Sequence, residues 1–94
     1  MSLNTITPQT QPTEGLFPLV EIKLTGNVKF DKLIDAIYYR YQVPYQLVSA
    51  DIEYQGKKSY GTVVVQLKGN AAGNRSVLTY FKANSIQNTL KGYV

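Results

Sequence analysis

The chain has 94 residues, of which 44% are hydrophobic and 17% charged, and its net charge at pH 7 is +4. This composition is typical of one small globular domain and is too apolar for a disordered chain. Cys and His are absent from the sequence, which excludes disulfides, thiol catalysis and the usual zinc sites. A domain of this size buries only about 60% of its unfolded surface, so a second copy is a reasonable source of stability.

Residues 1–16 are rich in Thr, Gln and Pro and contain little apolar material. Such a composition does not repay the entropy lost on ordering, so we expect a flexible leader or linker. The first three residues resemble an expression scar. The folded domain is therefore expected to cover residues 17–94.

A strand and a helix are predicted first. Val20, Ile22 and Leu24 alternate with polar residues, which indicates a strand with one buried face. Apolar side chains then recur every three or four residues, as on one face of a helix that ends before Pro44. That face comprises Phe30, Leu33, Ile34, Ile37, Tyr38 and Tyr41. Tyr38 and Tyr41 are therefore expected to pack in the core.

A hairpin with its turn at residues 55–58 follows the first helix. Its first strand places Val48, Ala50, Ile52 and Tyr54 on one face and Ser49, Asp51 and Glu53 on the other. Its second strand contains three consecutive valines, residues 63–65, and stops at Gly69. An unbroken apolar run is typical of a strand that is covered on at least part of both faces, which predicts a central position in the sheet.

The last two elements are a helix and a strand. Asn70 is the expected N-cap of the second helix, whose apolar stripe is Val77, Leu78 and Phe81. Alternation from Ile86 to Val94 then predicts the final strand. The element order βαββαβ is that of the α+β ferredoxin-like fold, a four-stranded antiparallel sheet with two helices on one face. In this topology the first and third strands are central and the second and fourth are edges.

Catalysis finds little support in the sequence. Without Cys or His, general acid–base chemistry would depend on carboxylates, Lys or Tyr. Asp51 and Glu53 share a strand face, but they are more typical of charges that protect an edge strand from aggregation. The loop at residues 25–29 lacks the arginine that acyl-phosphate hydrolases of this topology require. We therefore expect no catalytic residue, metal or cofactor in this domain.

RNA binding is a weaker alternative. RNA-recognition motifs have this fold and carry stacking aromatic residues on the third strand. The corresponding residues 58–65 read KSYGTVVV, so Thr62 and Val65 occupy two of the three stacking positions. Glu21 occupies the position in the first strand where a ring is expected. We therefore expect no nucleic-acid partner.

Four of the eight tyrosines lie close together in sequence, at positions 38, 39, 41 and 45. Tyr39 and Tyr45 fall outside the apolar stripe of the first helix. Exposed aromatic residues beside an edge strand are typical of an interface or the rim of a ligand site.

Residues 18–94 resemble the NIL domain, the C-terminal regulatory module of the ATP-binding subunit of bacterial methionine ABC importers. The resemblance rests on the segments PLVEIKLTG, YYRYQV, VSADIEYQGKKSYGTVVVQLKG and LKGYV, and on Tyr60-Gly61 in place of the family's usual Phe-Gly. It implies a homodimer that binds L-methionine or a related amino acid and thereby inhibits import. It also implies a place at the cytoplasmic face of the membrane, with permease subunits as partners and ATP bound elsewhere in a longer parent chain.

The resemblance also implies where the site lies. The ligand would contact the start of the second strand at Tyr45, Gln46, Leu47 and Val48, with Tyr60 as a possible wall. The dimer interface would involve Tyr39, Tyr45, Leu47 and Ser49. Some relatives have a short amide side chain where this sequence has Tyr45. A dimerisation or adaptor module without a ligand is the alternative interpretation.

Overall fold

The four strands form one antiparallel sheet in the order β2-β3-β1-β4 in the computed structural model, which describes residues 15–94. The strands are β1 (Pro18–Thr25), β2 (Tyr45–Gln55), β3 (Lys58–Leu67) and β4 (Asn88–Tyr93). The helices are α1 (Phe30–Asp35), which continues as a π-helical turn (Ala36–Arg40), and α2 (Ala71–Ala83). The predicted ferredoxin-like fold is confirmed, with β1 and β3 in the centre. Of the predicted leader, residues 1–14 lie outside the described residues.

The core lies between one face of the sheet and the two helices. Val20 of β1 is opposite Val65 of β3, and Ile22 is opposite Val63, so these four side chains project from the same face. The helices cover this face with Leu33, Ile37, Val77 and Phe81, all fully buried. The other face of the sheet has no helix against it within residues 15–94, and we call it the open face.

The first helix differs from the prediction in its second half. The N–H of Tyr41 donates to the carbonyl of Ala36 at 3.0 Å, which closes a π-helical rather than an α-helical turn. The wider turn holds one more residue, so the 3.6-residue period no longer applies after Ile37. The prediction that Tyr38 packs in the core is therefore wrong, because its side chain is 52% exposed. Tyr41 is half-buried against the core, as predicted.

The second helix begins as predicted. The Asn70 side chain accepts a hydrogen bond from the N–H of Gly73 at 2.7 Å, and Val77 and Phe81 are buried. Asn74 is a buried polar residue that the hydrophobic pattern does not reveal. Its side-chain oxygen accepts from the N–H of Gly69 at 2.9 Å, and its amide donates to the Gly69 carbonyl at 3.1 Å. Asn74 thus ties α2 to the end of β3.

The β2–β3 hairpin contains a bulge that the alternation does not predict. Leu47 is opposite Val65 and Ser49 is opposite Val64, which leaves Val48 without a partner on β3. Leu47 therefore takes the place on the helix-side face that the sequence predicts for Val48. Farther along the strand the predicted faces are correct, since Ala50 is opposite Val63 and on the helix side.

Gly61 lets the two strands of this hairpin approach closely. It has φ = +134°, and a Cβ at this position would overlap the carbonyl oxygen of Asp51. Only glycine adopts this backbone conformation readily and also leaves room for the Asp51 carbonyl oxygen. This requirement explains the glycine that follows Tyr60 near the start of β3.

The final strand starts at Asn88, two residues later than predicted. Ile86 is buried, but its N–H donates to the Phe81 carbonyl at 2.9 Å, so it lies in the turn that follows α2 and not in β4. Beyond β4, Val94 and Phe17 exchange two backbone hydrogen bonds of 2.9 Å. Within residues 15–94, neither helix has both the length and the apolar character needed to cross a membrane.

Candidate functional site

Strand β2 is an exposed edge of the sheet. It has 11 residues and pairs with β3 on one side, and nine of those residues are exposed. Leu47 is 45% exposed and Val48 is 53% exposed. An edge of this length presents a row of unpaired backbone N–H and C=O groups that another chain can pair with.

A cluster of aromatic side chains lies at the beginning of this edge. The rings of Tyr38 and Tyr39 meet edge to face with their centroids 5.1 Å apart, and those of Tyr38 and Tyr45 do so at 6.4 Å. Tyr45 and Leu47 both project from the helix-side face of β2. We call Tyr38, Tyr39, Tyr45 and Leu47 the tyrosine patch.

The tyrosine patch depends on the π-helical turn. Three of its four residues are largely exposed, and Tyr39 is 71% exposed. The wider turn directs Tyr38 outwards beside Tyr39 instead of into the core. Sequence periodicity placed Tyr39 and Tyr45 outside the apolar stripe: Tyr39 is exposed, whereas Tyr45 is half-buried against the core. It missed the exposure of Tyr38. π-Helical turns within helices are frequent at functional sites, so the turn next to this patch is itself an indication that the patch has a function.

The β2 residues predicted to bind a ligand or to form the dimer interface lie on two faces of the strand. Tyr45 and Leu47 are on the helix side, whereas Gln46 and Ser49 are opposite Gln66 and Val64 and project from the open face. Val48 is the extra residue of the bulge. The structure therefore gathers Tyr39, Tyr45 and Leu47 into one patch and separates Gln46 and Ser49 from it.

Tyr60 is remote from this patch within one chain. It is opposite Glu53 and Thr25, whereas Tyr45 is opposite Leu67 at the other end of β3. Tyr60 and Leu67 are seven positions apart on β3, which corresponds to about 23 Å. The Tyr60 ring instead lies against Gly26, where a Cβ would come within 2.8 Å of the Tyr60 hydroxyl oxygen. An antiparallel hairpin brings the start of β3 to the end of β2, so its register alone implies this separation.

The open face of the sheet is mostly polar. Glu21 of β1 is opposite Val64, and its carboxylate lies 3.9 Å from the Lys91 ammonium group. Both side chains are partly exposed, so this ion pair contributes at most about 1 kcal/mol to stability. Thr62 is opposite Lys23 on the same face. Glu21 and Thr62 thus present a carboxylate and a hydroxyl group at positions where RNA-recognition motifs present rings, and Val65, at another such position, is buried on the helix-side face.

A cleft of about 420 Å³ lies away from β2, between the start of α2 and the ends of β1 and β4. Its walls include Phe17, Pro18, Leu78 and Tyr93, with Arg75 as the charged residue. None of its lining residues comes from β2. The cleft and the exposed edge strand β2 are therefore separate features of this domain.

Comparison with known proteins supports the resemblance seen in the sequence. The chain is 30% identical to the methionine import ATP-binding protein MetN of Vibrio cholerae over 86 residues, which are 89% of this chain and 25% of that protein. It is 26% identical to the protein of the same name from Photorhabdus laumondii, over 92% of this chain and 25% of that protein. The chain thus spans about a quarter of the length of these relatives.

A solved structure has the same fold. The C-terminal domain of an ABC transporter ATP-binding protein from Enterococcus faecalis superimposes with a TM-score of 0.70, covering 80% of this chain and 83% of that one. The sequence identity is 17%, so this likeness concerns the fold alone. The sequence profile of the NIL domain matches residues 18–89. This range contains both helices, the strands β1, β2 and β3, and the start of β4. The chain therefore belongs to the NIL domain family.

Proposed function

We propose that this domain is the methionine-sensing and dimerisation unit of the ATP-binding subunit of an amino-acid importer. The observation that carries the proposal is the exposed apolar edge formed by β2 and the tyrosine patch. Exposed aromatic groups beside an edge strand suit a protein interface better than a solvated surface. The relatives named for methionine import provide the class of ligand.

Dimerisation would use the backbone of β2. A second copy pairs antiparallel with the part of this edge that follows Val48 and satisfies the outward N–H and C=O groups there, which leaves the backbone of residues 45–48 for a ligand. Contact between the two copies also buries Leu47 and Val48, which are exposed in a single chain. The proposed interface includes Ser49, which lies on β2, and Tyr39, whose ring contacts that of Tyr38 beside Tyr45.

Methionine would bind where the tyrosine patch meets this edge. Its ammonium and carboxylate groups require polar partners, which the exposed strand backbone at residues 45–48 supplies. Its thioether arm packs against Leu47 and the rings of Tyr39 and Tyr45, because sulfur interacts favourably with aromatic rings. Tyr60 would contribute only from the second copy, since within one chain it lies at the other end of the hairpin.

Feedback inhibition follows if the occupied dimer holds two ATPase modules apart. Methionine then acts as an effector at a site distinct from the ATP sites and shifts the importer towards an inactive state. This places the domain in the cytoplasm beside the membrane, in a complex with permease subunits. The domain itself binds no ATP in this scheme.

Multi-angle light scattering tests the dimer with a matched pair of variants. Leu47 on β2 is 45% exposed and Leu90 on the opposite edge, β4, is 42% exposed, and both lie on the helix-side face. We expect the wild type to have twice the 10.5 kDa mass of the chain. Leu47→Lys should reduce the mass to that of a monomer, and Leu90→Lys should leave the dimer intact. A monomeric wild type at high concentration would refute the proposed pairing.

Calorimetric titration with L-methionine tests sensing. We expect L-methionine to give a saturable heat signal. Norleucine, in which a methylene group replaces sulfur, should bind more weakly, and D-methionine should not bind. Leu47→Lys should lower the affinity at least tenfold, and Leu90→Lys should change it less than twofold. A dimer that gives no heat with millimolar methionine would indicate a ligand-free dimerisation module instead.

A further inference from the structure

A groove on the helical side of the domain contains two arginines. It has a volume of about 450 Å³ and lies between the π-helical turn and the exposed side of α2. Arg40 and Arg75 line it together with Tyr41, Thr79 and Tyr80. None of its lining residues belongs to β2 or to the tyrosine patch.

Arg40 is held over aromatic rings. Its guanidinium carbon lies 5.5 Å from the centroid of the Tyr41 ring and 5.8 Å from that of Tyr80, and the two rings are 5.4 Å apart. Cation–π contacts of this kind restrict a long side chain that would otherwise be mobile. An arginine restricted in this way loses less entropy when its N–H groups bind a ligand.

Among residues 15–94, no acidic side chain balances the charge of the two arginines in the groove. Helix α2 contains no Asp or Glu, and the groove-lining residues of this part of the chain include none. Within residues 15–94, the ion pair of the structure joins Lys91 to Glu21 on the open face of the sheet, so it involves neither arginine. With respect to the described part of the chain, both guanidinium groups therefore have N–H donors available for an external anion.

We propose that this groove is a binding site for a phosphate group, held by Arg40 and Arg75. Arginine donors match the geometry of phosphate oxygens and bind them through two parallel hydrogen bonds. A phosphate group carries a charge of about −1.5 to −2 near pH 7, which matches two arginines, whereas a single carboxylate balances only one. The site is separate from the proposed methionine site and does not depend on it.

The free phosphate anion and a phosphate monoester present the same group to the arginines, so either could be the source of the phosphate. Titration of the isotope-labelled domain with inorganic phosphate and, separately, with glycerol phosphate distinguishes the two. Two-dimensional NMR spectra recorded at constant ionic strength should show saturable shifts at the backbone amides of Tyr41, Thr79 and Tyr80. Tighter binding of the ester would assign the site to a phosphorylated small molecule, and equal or weaker binding would assign it to free phosphate.

Three variants decide whether the arginines are responsible. Arg40→Gln and Arg75→Gln should each weaken binding at least tenfold, and Lys82→Gln, which removes a charge from α2 outside the groove, should change it less than twofold. Arg40→Lys should weaken binding several-fold, because it keeps the charge but loses the paired donors. Thermal unfolding confirms that each variant is folded. Binding of succinate as tight as that of phosphate, or unchanged affinity in both Arg→Gln variants, would overturn the proposal.

Discussion

Asn74 connects α2 to β3 through a buried side chain. Its amide group bonds both backbone groups of Gly69, and the side chain is 7% exposed. Replacing Asn74 with Ala removes both bonds and leaves the Gly69 groups without these partners, which we expect to cost about 2 kcal/mol. Urea unfolding followed by circular dichroism measures this change.

Ser76→Ala is the matched control for this prediction. Ser76 lies on the exposed side of the same helix, where its hydroxyl donates to the Ala72 carbonyl at 3.0 Å. Since water replaces this bond, the change should alter the unfolding free energy by no more than about 0.5 kcal/mol. Equal effects of the two substitutions would contradict the role assigned to Asn74.

At the scale of elements, both helical segments end at a residue in the left-handed backbone conformation. Gln42, after the π-helical turn, has φ = +54°, and Ser85, after α2, has φ = +55°. Glycine is the residue that prefers this position, because it lacks the Cβ that crowds the backbone there. We expect Gln42→Gly and Ser85→Gly each to stabilise the domain by about 0.5 to 1 kcal/mol. Lys82→Gly, inside α2, should destabilise it by a similar amount, and thermal unfolding reports all three changes.

The elements were predictable where a local pattern determined them. Alternation in β1 and the Asn70 cap involve neighbouring residues, so the sequence alone indicated them. The bulge at Val48 depends on pairing with β3, and the outward position of Tyr38 depends on the π-helical turn, so neither follows from a regular period. Arg40 and Arg75 are far apart in the sequence and line the same groove only because of the way the chain folds.

For the whole molecule, hydrogen exchange should distinguish the two edges of the sheet. Amides of β1 and β3 lie in strands paired on both sides, so we expect them to exchange slowest. In dilute solution the amides of β2 that do not bond to β3 should exchange quickly. Raising the protein concentration should slow them, because dimerisation pairs this edge, and should leave the outer amides of β4 unchanged. Equal responses of the two edges would contradict dimerisation through β2.

The paired backbone groups of Phe17 and Val94 have a mechanical consequence. Because these residues exchange two hydrogen bonds, the chain enters β1 and leaves β4 at the same point on the sheet. A force that pulls these two points apart acts on the β1–β4 hydrogen bonds one after another and does not load them together. The domain should therefore unzip from this corner at low force. It would transmit a change of orientation to a neighbouring module better than it would withstand tension.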